Sequence, residues 1–185
     1  MVNDIYSDLK TRMKKAVESL QTELNSVRAG RATPSLLDRI VVDYYGAQTP
    51  LNQLANISTP EPRLLVVQPW DKTVIPEVEK AILKSDLGLT PSNDGSVIRL
   101  AIPALTQERR SELVRYVKQK GEDGKVAIRN VRRDGNEMVK SLEKDNEISE
   151  DESRKAQEEI QKITDQFIKE ADRIIQNKEE EILEV

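Results

Sequence analysis

The chain has 185 residues, 37% hydrophobic and 34% charged, against about 25% charged in an ordinary globular domain, so its ratio of surface to core is high and an elongated shape is expected. It contains neither cysteine nor histidine, which excludes disulfide scaffolds, thiolate nucleophiles, Cys/His zinc sites and imidazole triads. The net charge of -4 would argue against a nucleic-acid partner if it were evenly spread, and it is not.

No apolar run approaches the roughly 20 residues that span a bilayer. Met1 to Lys10 carries Asp4 and Asp8 where a targeting segment would be basic. A soluble, cytoplasmic protein is expected.

All eight prolines fall between Pro34 and Pro103. Because proline inside a helix costs about 3 kcal/mol, the flanks are free to be long helices and the middle is not. The expected plan is an α+β fold: an elongated three-helix bundle made from residues 1–30 and 105–185, with a small β/α/β domain, 31–104, inserted into it.

In the first segment Leu9, Met13, Ala16, Leu20, Leu24 and Val27 recur at steps of four and three, one face of a helix from about 4 to 28, with Asn3 or Asp4 as N-cap and Gly30 at its end. The middle segment reads as strands at Arg39–Tyr44, Arg63–Val67 and Ser96–Ala101, the last after an Asn93-Asp94-Gly95 turn. A short helix, Val74–Ser85, carries Ile75, Val78 and Ile82 on one face, with Pro76 in its first turn and Gly88 beyond its end.

Between Thr106 and Asp145 the apolar positions Leu113, Val117, Val131, Met138 and Leu142 hold a heptad-like register that Gly121, Gly124 and Gly135 interrupt. One helix of about 38 residues, roughly 57 Å long, is the preferred reading; two helices broken at Gly121 to Gly124 is the other. If these glycines are helical, Gly121→Ala and Gly124→Ala should each stabilise by about 0.5 to 1 kcal/mol. The last helix begins near 150 with Ser149-Glu150-Asp151-Glu152, the spacing of a capping box, and shows Ala156, Ile160, Ile163, Phe167, Ala171 and Ile174 on one face.

Two chain crossings join the inserted domain to the bundle. Ala29, Gly30, Arg31 and Ala32 lie on the way out, and Ile102, Pro103, Ala104 and Leu105 on the way back. They restrict motion to a hinge or belong to a rigidly packed interface.

From Arg109 to Arg133 nine basic residues face three acidic ones, whereas from Asn146 to Val185 thirteen acidic residues outnumber six basic ones. Lys125, Arg129 and Arg132 or Arg133 lie one turn apart on a common face, and guanidinium groups at that pitch suit phosphate oxygens through bidentate bonds. A solvated face paired with carboxylates of the acidic helix explains the same stripe. Trp70 with Tyr44-Tyr45 could stack on bases, but burial is the expected role of a single tryptophan in a unit short of core residues. There is no P-loop and no dinucleotide fingerprint. The acidic clusters, such as Glu179-Glu180-Glu181, read as exposed helix surface.

The chain resembles the bacterial ribosome recycling factors over essentially its whole length. The resemblance lies in Val27-Arg28-Ala29-Gly30-Arg31-Ala32-Thr33-Pro34-Ser35-Leu36-Leu37, in Val126-Ala127-Ile128-Arg129-Asn130-Val131-Arg132-Arg133-Asp134, and in Ile148-Ser149-Glu150-Asp151 with Ile160-Gln161-Lys162-Ile163-Thr164-Asp165. Gly135 departs from the family pattern, which has alanine there. The resemblance implies an L-shaped molecule with the dimensions of a transfer RNA. It implies binding to the post-termination ribosome, with the bundle on large-subunit ribosomal RNA, and subunit separation driven by elongation factor G and GTP. The factor itself would be a monomer, would hydrolyse nothing and would need no metal or cofactor. The family's RNA-contacting arginines fall at Arg129 and Arg132, with Arg133 and Lys125 in the same stripe, while Arg28 and Arg31 belong to the motif beside the crossings. Two other classes remain: a helical adaptor or chaperone-like module that binds a basic protein without touching RNA, and, more remotely, a phosphoryl-handling enzyme.

Overall fold

The computed structural model describes residues 1–184. The chain forms two compact units, one built from Met1–Arg28 with Gln107–Glu184 and the other from Ala29–Thr106.

The first unit is a bundle of three helices, α1 (Val2–Asn25), α3 (Gln107–Lys144) and α4 (Glu150–Leu183), each packed on the other two. In α1 the buried positions are Leu9, Met13, Val17, Leu20 and Leu24; Val17 is buried where the periodicity picked Ala16, which is half-buried. The expected N-cap at Asn3 or Asp4 is not used, because the helix already starts at Val2, with Asp4 inside its first turn. It also stops before 28. The Ser26 hydroxyl donates to the Glu23 carbonyl at 2.6 Å, a side-chain bond that competes with continuing the helix, and Gly30 (φ 76) lies beyond the end.

Helix α3 is continuous through all three glycines. It ends on Asn146 in the left-handed region (φ 58), with Asn146 N–H on the Glu143 carbonyl at 3.0 Å and Glu147 N–H on the Leu142 carbonyl at 2.9 Å, the bond pair of a Schellman motif. Helix α4 opens on Ser149, whose hydroxyl accepts from the Glu152 N–H at 3.1 Å, as its capping spacing requires.

The expected benefit of alanine at the α3 glycines does not hold. Gly121 and Gly135 are buried on the same stripe as Leu113, Val117, Ile128, Val131 and Val139, and Met138, expected in the core, is 40% exposed. A Cβ at Gly121 would lie 2.7 Å from Ile175 Cγ1, and one at Gly135 would lie 3.0 Å from Leu9 Cδ2, with closer approaches to Ile175 Cδ1 and Leu9 Cδ1. A methyl group at either position therefore overpacks the contact with Ile175 of α4 or Leu9 of α1. Only Gly124, 3.3 Å from Leu20 Cδ2, has nearly the room.

In the second unit, β1 (Val41–Tyr44) and β2 (Ala47–Pro50) form a hairpin. Strands β3 (Ala55–Glu61), β4 (Leu64–Pro69), β5 (Pro91–Asn93) and β6 (Ile98–Ala101) form an antiparallel sheet in the order β3-β4-β6-β5, and α2 (Ile75–Lys84) lies between β4 and β5 in the chain. Alternation buries Leu65 and Val67 of β4 and Ile98 and Leu100 of β6 against Ile75, Val78 and Ile82 of α2. The strands that the sequence did not suggest are β2, β3 and β5. The last two are the sheet edges, with Pro60 and Pro91 where an edge tolerates them.

Candidate nucleic-acid interface

Helix α3 carries its charges on both sides of the buried stripe. On the α1 side Lys120 pairs with Glu23 at 3.8 Å and Asp134 accepts from Arg12 at 2.6 Å. The second of these pairs was not anticipated, because nothing in the spacing of either helix selects it. On the α4 side Lys125 pairs with Asp172 and, at 3.7 Å, with Glu122, and Arg132 Nη1 lies 3.5 Å from Gln161 Oε1.

The basic stripe is thus divided by the fold. Lys125, 17% exposed at its side chain, is drawn into ion pairs inside the bundle, as expected of a charged face beside an acidic helix. Arg129 and Arg133 make no side-chain hydrogen bond or ion pair among the described residues, with Arg129 half-buried and Arg133 exposed. Arg132 is half-buried, and its bond to Gln161 is at the long limit, so most of its fork of donors stays available. Each turn of α3 advances these groups by about 5.4 Å. Lys118 and Lys140, both exposed, fall on the same face seven residues from Lys125 and Arg133, a spacing that the sequence carries.

Near Arg132, Asn136 Oδ1 is buried with no hydrogen-bond partner among the described residues. It lines a polar groove between α3 and α4 with Gln157 and Gln161, but Glu143, Asp151 and Glu158 line it too, and such a wall repels phosphate.

Arg28 closes the bundle unit and Arg31 falls in the other unit. Of the crossing residues, Ala32 N–H donates to the Pro62 carbonyl at 2.7 Å and Ile102 N–H to the Arg63 carbonyl at 2.8 Å. Both strands of the crossing are thereby tied to the β3–β4 turn. The expected burial of Trp70 does not hold: it is 69% exposed, and Tyr45 is 81% exposed.

Among the described residues no group of three or more acidic side chains could hold a metal ion, and no helix is long and apolar enough to cross a membrane.

The family model described as ribosome recycling factor matches residues 20–183. The chain is 66% identical to the ribosome-recycling factor of Natranaerobius thermophilus, over 98% of each chain. Among solved structures it is similar to a solution structure of the ribosome recycling factor, with a TM-score of 0.76 and 43% identity over 100% of this chain and 98% of the other. It is also similar to the Thermus thermophilus recycling factor placed with Escherichia coli elongation factor G on the E. coli post-termination complex. That match has a TM-score of 0.65 and 49% identity, over 99% of each chain.

Proposed function

The chain belongs to the ribosome recycling factor family, and from that premise we propose how its two units divide the work of the family. It acts with elongation factor G on the post-termination ribosome, and its part is not catalytic. The bundle is the anchor: Arg129, Arg132 and Arg133 of α3 bind large-subunit ribosomal RNA, with Arg28 and Arg31 as further contacts, while Lys125 serves chiefly to join α3 to α4. The inserted unit receives the movement of the GTP-driven factor, and the segments 29–32 and 102–105 act as the hinge. The protein works as a monomer in the cytoplasm.

One observation carries the RNA assignment. Arg129 and Arg133 stand on one continuous helix without hydrogen bonds or ion pairs among the described residues, although acidic residues abound on neighbouring α4. An arginine that merely solubilised a helix or clamped it to α4 would be paired or fully solvated; half-buried Arg129 is neither.

The test is salt-dependent sedimentation with ribosomes. Arg129→Ala and Arg132→Ala should each weaken binding by about 1 to 3 kcal/mol and lower the slope of log affinity against log salt by about one, leaving the melting temperature unaltered. Lys125→Ala should do the reverse, costing about 0.5 to 1 kcal/mol of stability and little affinity. Equal affinities for Arg129→Ala and the parent chain would sink the anchor assignment and favour a protein-binding adaptor.

A further inference from the structure

Outside its middle, each successive turn of helix α3 exposes at least one charged side chain. Between Asp123 and Arg133 the exposed positions are Val126, Ala127 and Asn130, none of them charged. Roughly two and a half turns separate Val126 from buried Val117 on one side and from buried Gly135 on the other. The valine, 50% exposed, therefore stands on the side of α3 opposite the core of the bundle.

The bundle itself has no use for these side chains. Valine and asparagine form helix less readily than the lysine or glutamate that suits a solvated position, and Asn130 makes no side-chain hydrogen bond among the described residues. The surroundings of the window are cationic: half-buried Arg129 and Arg132 and exposed Arg133 lie beside it, and Lys118 and Lys140 continue that flank. The exposed carboxylates nearest to it along the helix belong to Asp123 and Glu137, about 21 Å apart, while Asp134 is engaged by Arg12 at 2.6 Å. A surface with short, uncharged side chains at its centre and guanidinium groups at its edge lets a polyanion come close to the helix backbone.

We propose that Val126, Ala127 and Asn130 form a close-contact surface for the sugar edge of an RNA duplex, with the Asn130 amide on ribose 2′-hydroxyls and the arginines on the flanking phosphates. The wide, shallow minor groove of A-form RNA displays those hydroxyls, and an amide both donates and accepts, as a hydroxyl does. Phosphate contacts alone place no demand for short side chains, since a helix held only by charge gains from one more cation on the same face. An acidic protein surface would likewise bind a lysine at position 126 as well as it binds the arginines. The inference rests on the reading of α3 as the RNA anchor, and it adds which part of the RNA the helix meets and which residues meet it.

The test is sedimentation of the full-length chain with purified ribosomes over a range of salt, with three variants. Val126→Lys adds a cation beside the arginines and improves helix propensity, so its melting temperature should be equal or higher. Its affinity should nevertheless fall about fivefold or more, because the long side chain holds α3 off the sugar edge and forfeits at least the hydrogen bond made there. Equal or tighter binding overturns the proposal. Asn130→Ala should also bind about fivefold more weakly, the worth of one hydrogen bond, but with an unchanged slope of log affinity against log salt, since no phosphate contact is lost. Unaltered affinity, or a slope that changes as it should for Arg129→Ala, removes the sugar contact. Arg129→Ala keeps the two readings apart: if it weakens binding while Val126→Lys tightens it, the anchor stands and the close-contact surface falls, and if neither alters affinity, both fall.

Discussion

Asp94 shows how a single short side chain sets the geometry of a hairpin. Its Oδ1 accepts from the Val97 N–H at 3.0 Å and the Ser96 N–H at 2.9 Å, while Oδ2 accepts from Arg99 at 3.0 Å. These bonds, the Val97 one foremost, push its pKa down from 3.8 to about 2. Since the folded state holds the carboxylate more firmly than the unfolded chain does, the stabilisation is complete above the unfolded value and is lost as pH falls through the folded one. Asp94→Asn keeps an acceptor but not the charge. Its melting temperature should therefore fall below that of the parent at pH 7, and the two should converge as pH drops from about 4 to about 2. A gap of equal size at pH 7 and pH 2 would show that charge has no part in it.

At the scale of the element, α3 shows that a residue with low helix propensity can be required by a helix. Gly135 costs about 1 kcal/mol of propensity relative to alanine, but a methyl group there meets Leu9, which is fully buried and has nowhere to turn. Overpacking of this kind costs about 1 to 3 kcal/mol. Gly135→Ala should therefore destabilise the bundle by about 1 kcal/mol net, and Gly124→Ala should be close to neutral. Adding Leu9→Val to Gly135→Ala frees the space, so in denaturant melts the double substitution should cost less than the sum of the two single ones. Strict additivity would mean that Leu9 and residue 135 do not meet.

At the scale of the whole molecule, the chain supports two separate cores. Leu9, Met13, Leu24, Val117, Ile128, Ile160 and Ile163 lie in the helical unit, and Leu37, Val42, Leu65, Val67, Ile82, Ile98 and Leu100 in the inserted one, every one of them essentially inaccessible. A chain in which a short Gly/Ser loop replaces residues 29–106 keeps the first core entire, and should stay helical and melt cooperatively. If α3 is the RNA anchor as proposed above, this chain should also keep most of its ribosome affinity, because phosphate contacts dominate such binding. Subunit splitting with elongation factor G and GTP, followed by light scattering, should be lost, since the motor can bias only an element that it contacts. Full splitting by the bundle alone would defeat the division of labour between anchor and receiver.

Local pattern was enough for much of this. The stripe from Leu9 to Leu24, the stripe from Ala156 to Ile174, the Ser149 cap and the face Ile75-Val78-Ile82 of α2 are spacings within one element, and most of the residues that the periods select are buried, Ala16 and Phe167 being half-buried. Confinement of proline to one stretch separated helical from mixed structure for the same local reason. The common face of Lys125, Arg129, Arg132 and Arg133 was equally legible, because 3.6 residues per turn places them there whatever the helix packs on. Tertiary structure alone decided the rest. Edge strands β3 and β5 carry little apolar alternation, since only one side of an edge must match a neighbour, and they exist because β4 and β6 offer them partners. Helical Gly121 and Gly135 came to lie against Ile175 and Leu9, Asp172 paired with Lys125 while Arg129 has no bond or ion pair among the described residues, and Trp70 was placed in solvent. Each of these depends on a neighbour far away in sequence, and no period within a helix or strand records which residue that neighbour will be.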